Sequence, residues 1–215
     1  MKHNVLFYQG SGKIGNMVGY KLYGKQCFRA YQPVVANPKS TVQTLNRAKL
    51  AFMSRLASLF LGAARLGMTA QGKSEGHSGF CEFVQTNIGY VTGSSVDALT
   101  IDPMGIKVAE GTVPNALFSS TPTSINAAEI NVNILNMNQD TTNASDNDDI
   151  YAVVYSPDAE GVCVSAPIKR SSVSRSITVS VPQGWSGMDC HCYGFALNAE
   201  GKASRSQYCG HVECA

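Results

Sequence analysis

Six side chains close to the C-terminal end could bind a metal ion: Cys190, His191, Cys192, Cys209, His211 and Cys214. Thiolate and imidazole are the usual ligands of structural zinc, and a turn normally converges two cysteines spaced about C-x2–4-C. Here one residue separates Cys190 from Cys192. In a strand the two thiols share one face and His191 points to the other. The spacing predicts two core-facing thiols and no metal centre. With Cys27, Cys81 and Cys163 the cysteines number seven, an odd count that follows no apolar leader. Buried reduced thiols are the expectation, not a disulfide framework.

Gly10-Ser11-Gly12-Lys13-Ile14-Gly15 has the spacing of a dinucleotide-binding loop. That loop must open a helix within a βαβ unit. Gly19 and Gly24 lie where the helix would run. The glycines predict a hinged arm or hairpin instead. Gly10, Gly12 and Gly15 are the candidates for positive φ or close backbone approach at a subunit contact. Asp146-Asn147-Asp148-Asp149 lacks the glycine and distal glutamate of a calcium loop, so a solvated inter-strand loop is expected. His3, His77, His191 and His211 are scattered, and no carboxylate pair flanks a cleft-forming segment. The chain is therefore read as a non-enzyme, with no catalytic, cofactor or metal site expected.

These groups need elements to position them. Residues 40–66 place Leu45, Ala48, Phe52, Leu56, Leu59, Ala63 and Leu66 on one face at helical spacing. That predicts one amphipathic helix of about seven turns, capped by Thr41 and ended at Gly67. Leu50 and Leu61 fall on nearly the opposite side. They are either stray leucines on a packed helix or a second apolar face for a neighbouring subunit. Upstream, MVGYKLYGKQCFRAY alternates well enough for one or two strands. Downstream, MTAQGKSEGHSG reads as a loop, FCEFVQTNI as a short helix and GIKVAEGTV as a strand.

From Ala128 the pattern is all β. EINVNILNM, DIYAVVYSP, GVCVSAP, SITVSVP, MDCHCYGFAL and SRSQYCGHV alternate with turn-rich stretches. With a first strand around 116–121 they predict an immunoglobulin-like antiparallel β-sandwich. The expected fold class is α+β. A glycine-rich extended arm or hairpin and a long amphipathic helix make an N-terminal assembly domain over 1–105. The sandwich takes 106–215.

The chain has 215 residues, 44% hydrophobic and 15% charged. About 25% charged is usual, so the surface is expected to be largely covered by partners. The net charge of +2 conceals a division. Residues 1–75 hold eleven basic side chains against Glu75 alone, a net +10; the remainder hold six basic and fourteen acidic, a net −8. Such polarity suits head-to-tail docking of one copy on the next, or nucleic acid at the basic end. MKHNVLFYQGSG has no secretory apolar run, and Arg55 and Arg65 interrupt the best membrane-spanning candidate. A chain made and kept in a cytoplasm, with no membrane, is expected.

Several segments in order, GKIGNMVGYKLYGKQCFRAY, VQTLNRAKLAF, FVQTNI, DDIYAVVYSPD, the stretch from Arg170 to Arg175, HCYGFALNAEGKASRSQY and Gly210, resemble a protein family of gut Bacteroidetes and their phages. The family is similar to the ring-forming tail and neck proteins of crAss-like short-tailed bacteriophages. The resemblance implies a virion structural protein assembled in the host cytoplasm, a twelve-fold homo-oligomeric ring in the tail or neck. Its partners would be itself and other tail and neck proteins, with transient contact to the genomic DNA leaving through it. Gly10, Gly12, Gly15, Leu50 and Leu61 are the expected interface residues. The alternative is a carbohydrate- or host-surface-binding immunoglobulin-like module, with Trp185, Tyr151 and Tyr193 as a stacking platform.

Overall fold

A computed structural model describes residues 11–22, 24–34, 37, 39–137 and 144–215. The chain is mixed α+β. The first described element is an antiparallel meander of β1 (Gly12–Ile14), β2 (Met17–Leu22) and β3 (Lys25–Ala30). The two turns contain Gly15 at φ +58 and Gly24 at φ +80. These are left-handed values that glycine adopts without a Cβ clash.

α1 (Thr41–Leu59) begins at Ser40, whose hydroxyl accepts a hydrogen bond from the Gln43 amide at 3.3 Å. The cap thus falls one residue before Thr41. The expected single helix is in fact two, because α2 (Leu61–Gly67) leaves α1 at 83°. Just before the break Ser58 Oγ donates to the Ser54 carbonyl at 2.9 Å, a back-bond that tends to bend helices. The corner carries Phe60 into the interior. Its ring centroid lies 5.2 Å from Phe83, 5.0 Å from Tyr155 and 6.2 Å from Tyr193. The bend also moves the buried face. Met53, Leu56, Ala57, Phe60, Ala63, Ala64 and Met68 are buried, while Phe52, Leu59 and Leu66 are only partly so.

α3 (Thr69–Glu75) occupies the stretch whose composition reads as a loop. It has no apolar stripe and is held by tight packing: a Cβ at Gly72 would stand 2.9 Å from the Ser78 carbonyl. α4 (Gly79–Asn87) follows, capped by Ser78, at the expected short helix. β4 (Val91–Thr92) and β5 (Thr100–Ile101) pair as a small lobe. GIKVAEGTV forms no strand. Its backbone bonds go elsewhere: the Val108 amide donates to Ser206 Oγ and the Glu110 amide to the Gly67 carbonyl. Its alternation instead buries Ile106 and Val108 beside the helices.

Among the described residues eight strands follow: β6 (Leu117–Phe118), β7 (Glu129–Asn136), β8 (Asp149–Ser156), β9 (Gly161–Val164), β10 (Ile168–Lys169), β11 (Ser176–Ser180), β12 (Asp189–Leu197) and β13 (Gln207–Glu213). One sheet has the order β11-β7-β6. The other has β10-β8-β12-β13, with β9 on the same edge of β8 as β10. All these pairings are antiparallel. The facing sides share one core of Ile130, Val132, Ile134, Ile150, Ala152, Val154, Ile177, Val179, Cys190, Cys192 and Cys209. The other side of β8 and β12 is buried as well, with Val153, Tyr155, Tyr193 and Phe195 packed against the helices. Burial on both faces explains why DIYAVVYS and DCHCYGFAL are nearly continuous apolar runs. This second core joins residues from both sides of position 105. Among the described residues no single helix is long and apolar enough to cross a membrane.

Candidate functional site

Among the described residues, the meander β1–β3 contributes none to either core. It nonetheless carries large apolar side chains in water: Ile14, Met17, Tyr20 and Leu22 are 53, 44, 38 and 46% exposed. The register sets their directions. Ile14 pairs with Met17, and both share a face with Gly19; Tyr20 and Leu22 lie on the other face, opposite Cys27 and Lys25. Both faces are thus apolar in part. Lys13, Lys21, Lys25 and Arg29 surround them, with no acidic residue between 11 and 34. The Lys13 ammonium sits 3.5 Å from the Tyr31 ring centroid, a cation–π contact. A small sheet gains independent stability by burying an apolar face. Exposed apolar patches rimmed by charge mark interaction surfaces. This is the strongest candidate for a binding surface.

Gly12 has φ +131 and Gly15 φ +58, and a Cβ on either would meet nothing within 4 Å. Their need for glycine is conformational. Gly10 lies outside the described residues. Leu50 is half exposed on α1 and Leu61 half buried at the start of α2, so the bend places them on different helices.

The chemistry-bearing clusters are built into the fold. All seven cysteines are free, and Cys190, Cys192, Cys209 and Cys214 are buried. Burial pushes the Cys190 and Cys209 thiols up to about 12 and raises Cys192 further in the same direction. In the metal-free chain such thiols stay protonated at neutral pH, where the thiolate is the reactive form. On the opposite face His191 Nδ1 lies 2.9 Å from the Tyr208 hydroxyl. Burial, and then His211 beside it, hold His191 below the ordinary imidazole range.

Among the described residues, Glu75, His77 and Glu82 offer ligand atoms within 4.8 Å of one another, a spacing that could hold a metal ion. His77 Nε2 and Glu82 Oε2, however, are bonded to each other at 2.6 Å, and Thr86 donates to the second Glu82 oxygen at 3.3 Å. The buried Glu82 carboxylate is therefore satisfied within the protein. The αL turn at Gly76 brings Glu75 and His77 to the start of α4, a convergence that scattered histidines in the sequence do not reveal.

The acidic loop is not simply solvated. Asp148 is buried and accepts from Arg170 Nε at 3.2 Å and from the Ser145 amide at 3.0 Å. The remaining Arg170 nitrogens donate to the carbonyls of Met137 and Pro114. One guanidinium thus ties the end of β7, the loop before β8 and the segment before β6. Trp185 and Tyr193 are buried too. Tyr193 donates to the Pro103 carbonyl at 2.7 Å, and Tyr151 stacks on Phe195 at 5.4 Å. Trp185 and Tyr193 are therefore core, not a solvent-facing stacking platform. A shallow groove of about 450 Å³ is bordered by Gly111, Thr112, Val113, Asn115 and Arg205, none of them aromatic.

Residues 9–210 match the profile of a family of unknown function, DUF6266. The chain belongs to this family. No curated protein matches it. The DUF6266 span takes in the three-stranded β1–β3 hairpin, the helices and both larger sheets, so the hairpin belongs to the family unit and is not an appendage of it. Sequence reading picked out the hairpin glycines but missed Tyr20 and Leu22, because alternation alone does not say whether a face is covered.

Proposed function

We propose that this is a non-catalytic binding module on an immunoglobulin-like sandwich, docking protein surfaces through its N-terminal hairpin. Strand order supports the sandwich reading. β6, β7 and β11 correspond to strands A, B and E; β9 with β10, β8, β12 and β13 correspond to C′, C, F and G. The helical layer occupies the outer face of the larger sheet, which removes that face from binding. The hairpin is the observation that carries the function. Ile14, Met17, Tyr20 and Leu22 stand in water among four cations. Apolar anchors within a charged rim suit a protein partner, whereas two of the three rings expected to stack on a sugar, Trp185 and Tyr193, lie in the core.

Cross-linking mass spectrometry in the native source tests this reading. Lys13, Lys21 and Lys25 should cross-link to other polypeptide chains more often than Lys49, Lys73 and Lys107. Hairpin lysines that cross-link only within their own chain would overturn it.

A second reading, a ring-forming tail or neck component of a phage particle, is favoured by the division of charge, +10 in residues 1–75 and −8 beyond. A surface of one sign meeting the opposite sign on the next copy is a heterologous contact, which closes into rings when the rotation permits. Contact with DNA in passage would use the same cations. Mass spectrometry of purified particles decides it: a stoichiometric tail-fraction protein supports this placement, and absence from particles made by cells that express the protein removes it.

A further inference from the structure

We infer that the hairpin's partner is a second copy of this chain, and that its seat is the small lobe around β4 and β5, residues 88–105. The inference rests on the hairpin as a protein-docking element and names what it docks. The lobe exposes Tyr90, Val96 and Met104 at 43, 48 and 63%. Tyr90 and the Met104 turn are adjacent, since a Cβ at Gly105 would lie 3.7 Å from the Tyr90 ring. The lobe's charges are Asp97 and Asp102, and it contains no Lys or Arg. Lys107 stands at its margin, 5.8 Å from the Tyr90 ring centroid.

The hairpin is its complement. It too has exposed apolar side chains at the centre, but its charges are Lys13, Lys21, Lys25 and Arg29. Opposite signs around two apolar patches steer encounter and fix register. Like charges oppose hairpin-on-hairpin pairing, so the contact is hairpin on lobe and propagates head to tail. Phosphates would satisfy the cations and leave Ile14, Met17, Tyr20 and Leu22 in water, which argues against nucleic acid as the occupant. Size limits the strength. With strands about 4.8 Å apart and about 3.3 Å per residue, each hairpin face covers roughly 300 Å². A standard interface takes about 800 Å² per partner. Self-association through one face is therefore weak and depends on concentration.

Sedimentation velocity of the full chain at about 0.1–1 mM tests this with two exposed-site variants. One is Tyr20→Asp with Leu22→Asp in the hairpin; the other is Val96→Asp with Met104→Asp in the lobe. Wild type should form species larger than dimers, and each variant alone should be monomeric. An equal mixture should give dimers and nothing larger, because one intact hairpin meets one intact lobe. The mixture also answers the objection that a variant has merely unfolded, since the lobe variant must still donate a working hairpin. If the hairpin variant loses association but the lobe variant keeps it, the seat is wrong while the hairpin remains the docking element. If both variants associate as wild type does, hairpin and seat fail together. Monomeric wild type throughout overturns the second copy as partner, and the lysine cross-links then decide whether another protein takes its place. Assembly that needs added duplex DNA overturns the inference in favour of nucleic acid.

Discussion

The Arg170 guanidinium meets the Asp148 carboxylate at 3.2 Å, and both side chains are closed off from water. Removing one partner from a buried pair leaves the other uncompensated, at about 3–5 kcal/mol. Arg170→Met and Asp148→Leu should each cost that much in urea unfolding. The double variant should cost less than either single change, because no charge is left behind. Equal, additive losses would contradict this coupling.

Phe60 holds the helical layer to the sheet through Phe83, Tyr155 and Tyr193. Phe60→Ala should destabilise by about 3–5 kcal/mol, read as a lower midpoint in thermal or urea unfolding. Leu50→Ala, at a half-exposed position on the same helix layer, should change it by less than about 0.5 kcal/mol. Similar losses from both would show that the bend at Phe60 is not the anchor.

Gly194 faces Phe118 so closely that a Cβ would stand 2.4 Å from its ring. Gly194→Ala should cost about 1–3 kcal/mol by overpacking. Gly184→Ala, where a Cβ meets nothing within 4 Å, is the control and should be near neutral. Melting temperatures of the two variants compare them directly.

The buried thiols predict a pH dependence. Cys190 and Cys209 titrate at about 12 in the folded chain, against about 8.5 for a free thiol. The folded state keeps its protons where the unfolded state releases them. Stability from these groups is therefore complete below the unfolded value and falls as pH rises through the window between the two. The urea midpoint should drop over that range, and drop less in Cys190→Ala with Cys209→Ala. At neutral pH iodoacetamide should label the exposed Cys81 rapidly and Cys190, Cys192 and Cys209 only after unfolding. Rapid labelling of Cys192 in the native protein would contradict its place in the core.

The strands of the two antiparallel sheets were legible because their turns are rich in Gly, Asn and Asp and their faces alternate, as in β7 and β11. The helix was legible in position but not in shape. Nothing in the pattern of Leu45 to Leu66 announces a corner at Phe60, since both face choices are apolar and the sheet decides between them. GIKVAEGTV misleads for the same reason: Ile106 and Val108 alternate into the second core without a strand partner. In the candidate site, Gly12 and Gly15 were visible by type. The exposure of Tyr20 and Leu22, and the buried pairing of Asp148 with Arg170, depend on which distant segment arrives, which local spacing does not encode.

Amide hydrogen exchange of β1–β3 against β8 and β12 measures the hairpin's role most directly. Strands that share no core with the body open locally at low free energy. In dilute protein, amides of Met17–Leu22 and Lys25–Ala30 should exchange far faster than those of Asp149–Ser156 and Asp189–Leu197. They should become protected as concentration rises, or on addition of a cross-linked partner, with the body strands unchanged. Hairpin amides that match the body strands at every dilution, or that stay unprotected under every condition, would contradict the hairpin as a docking element.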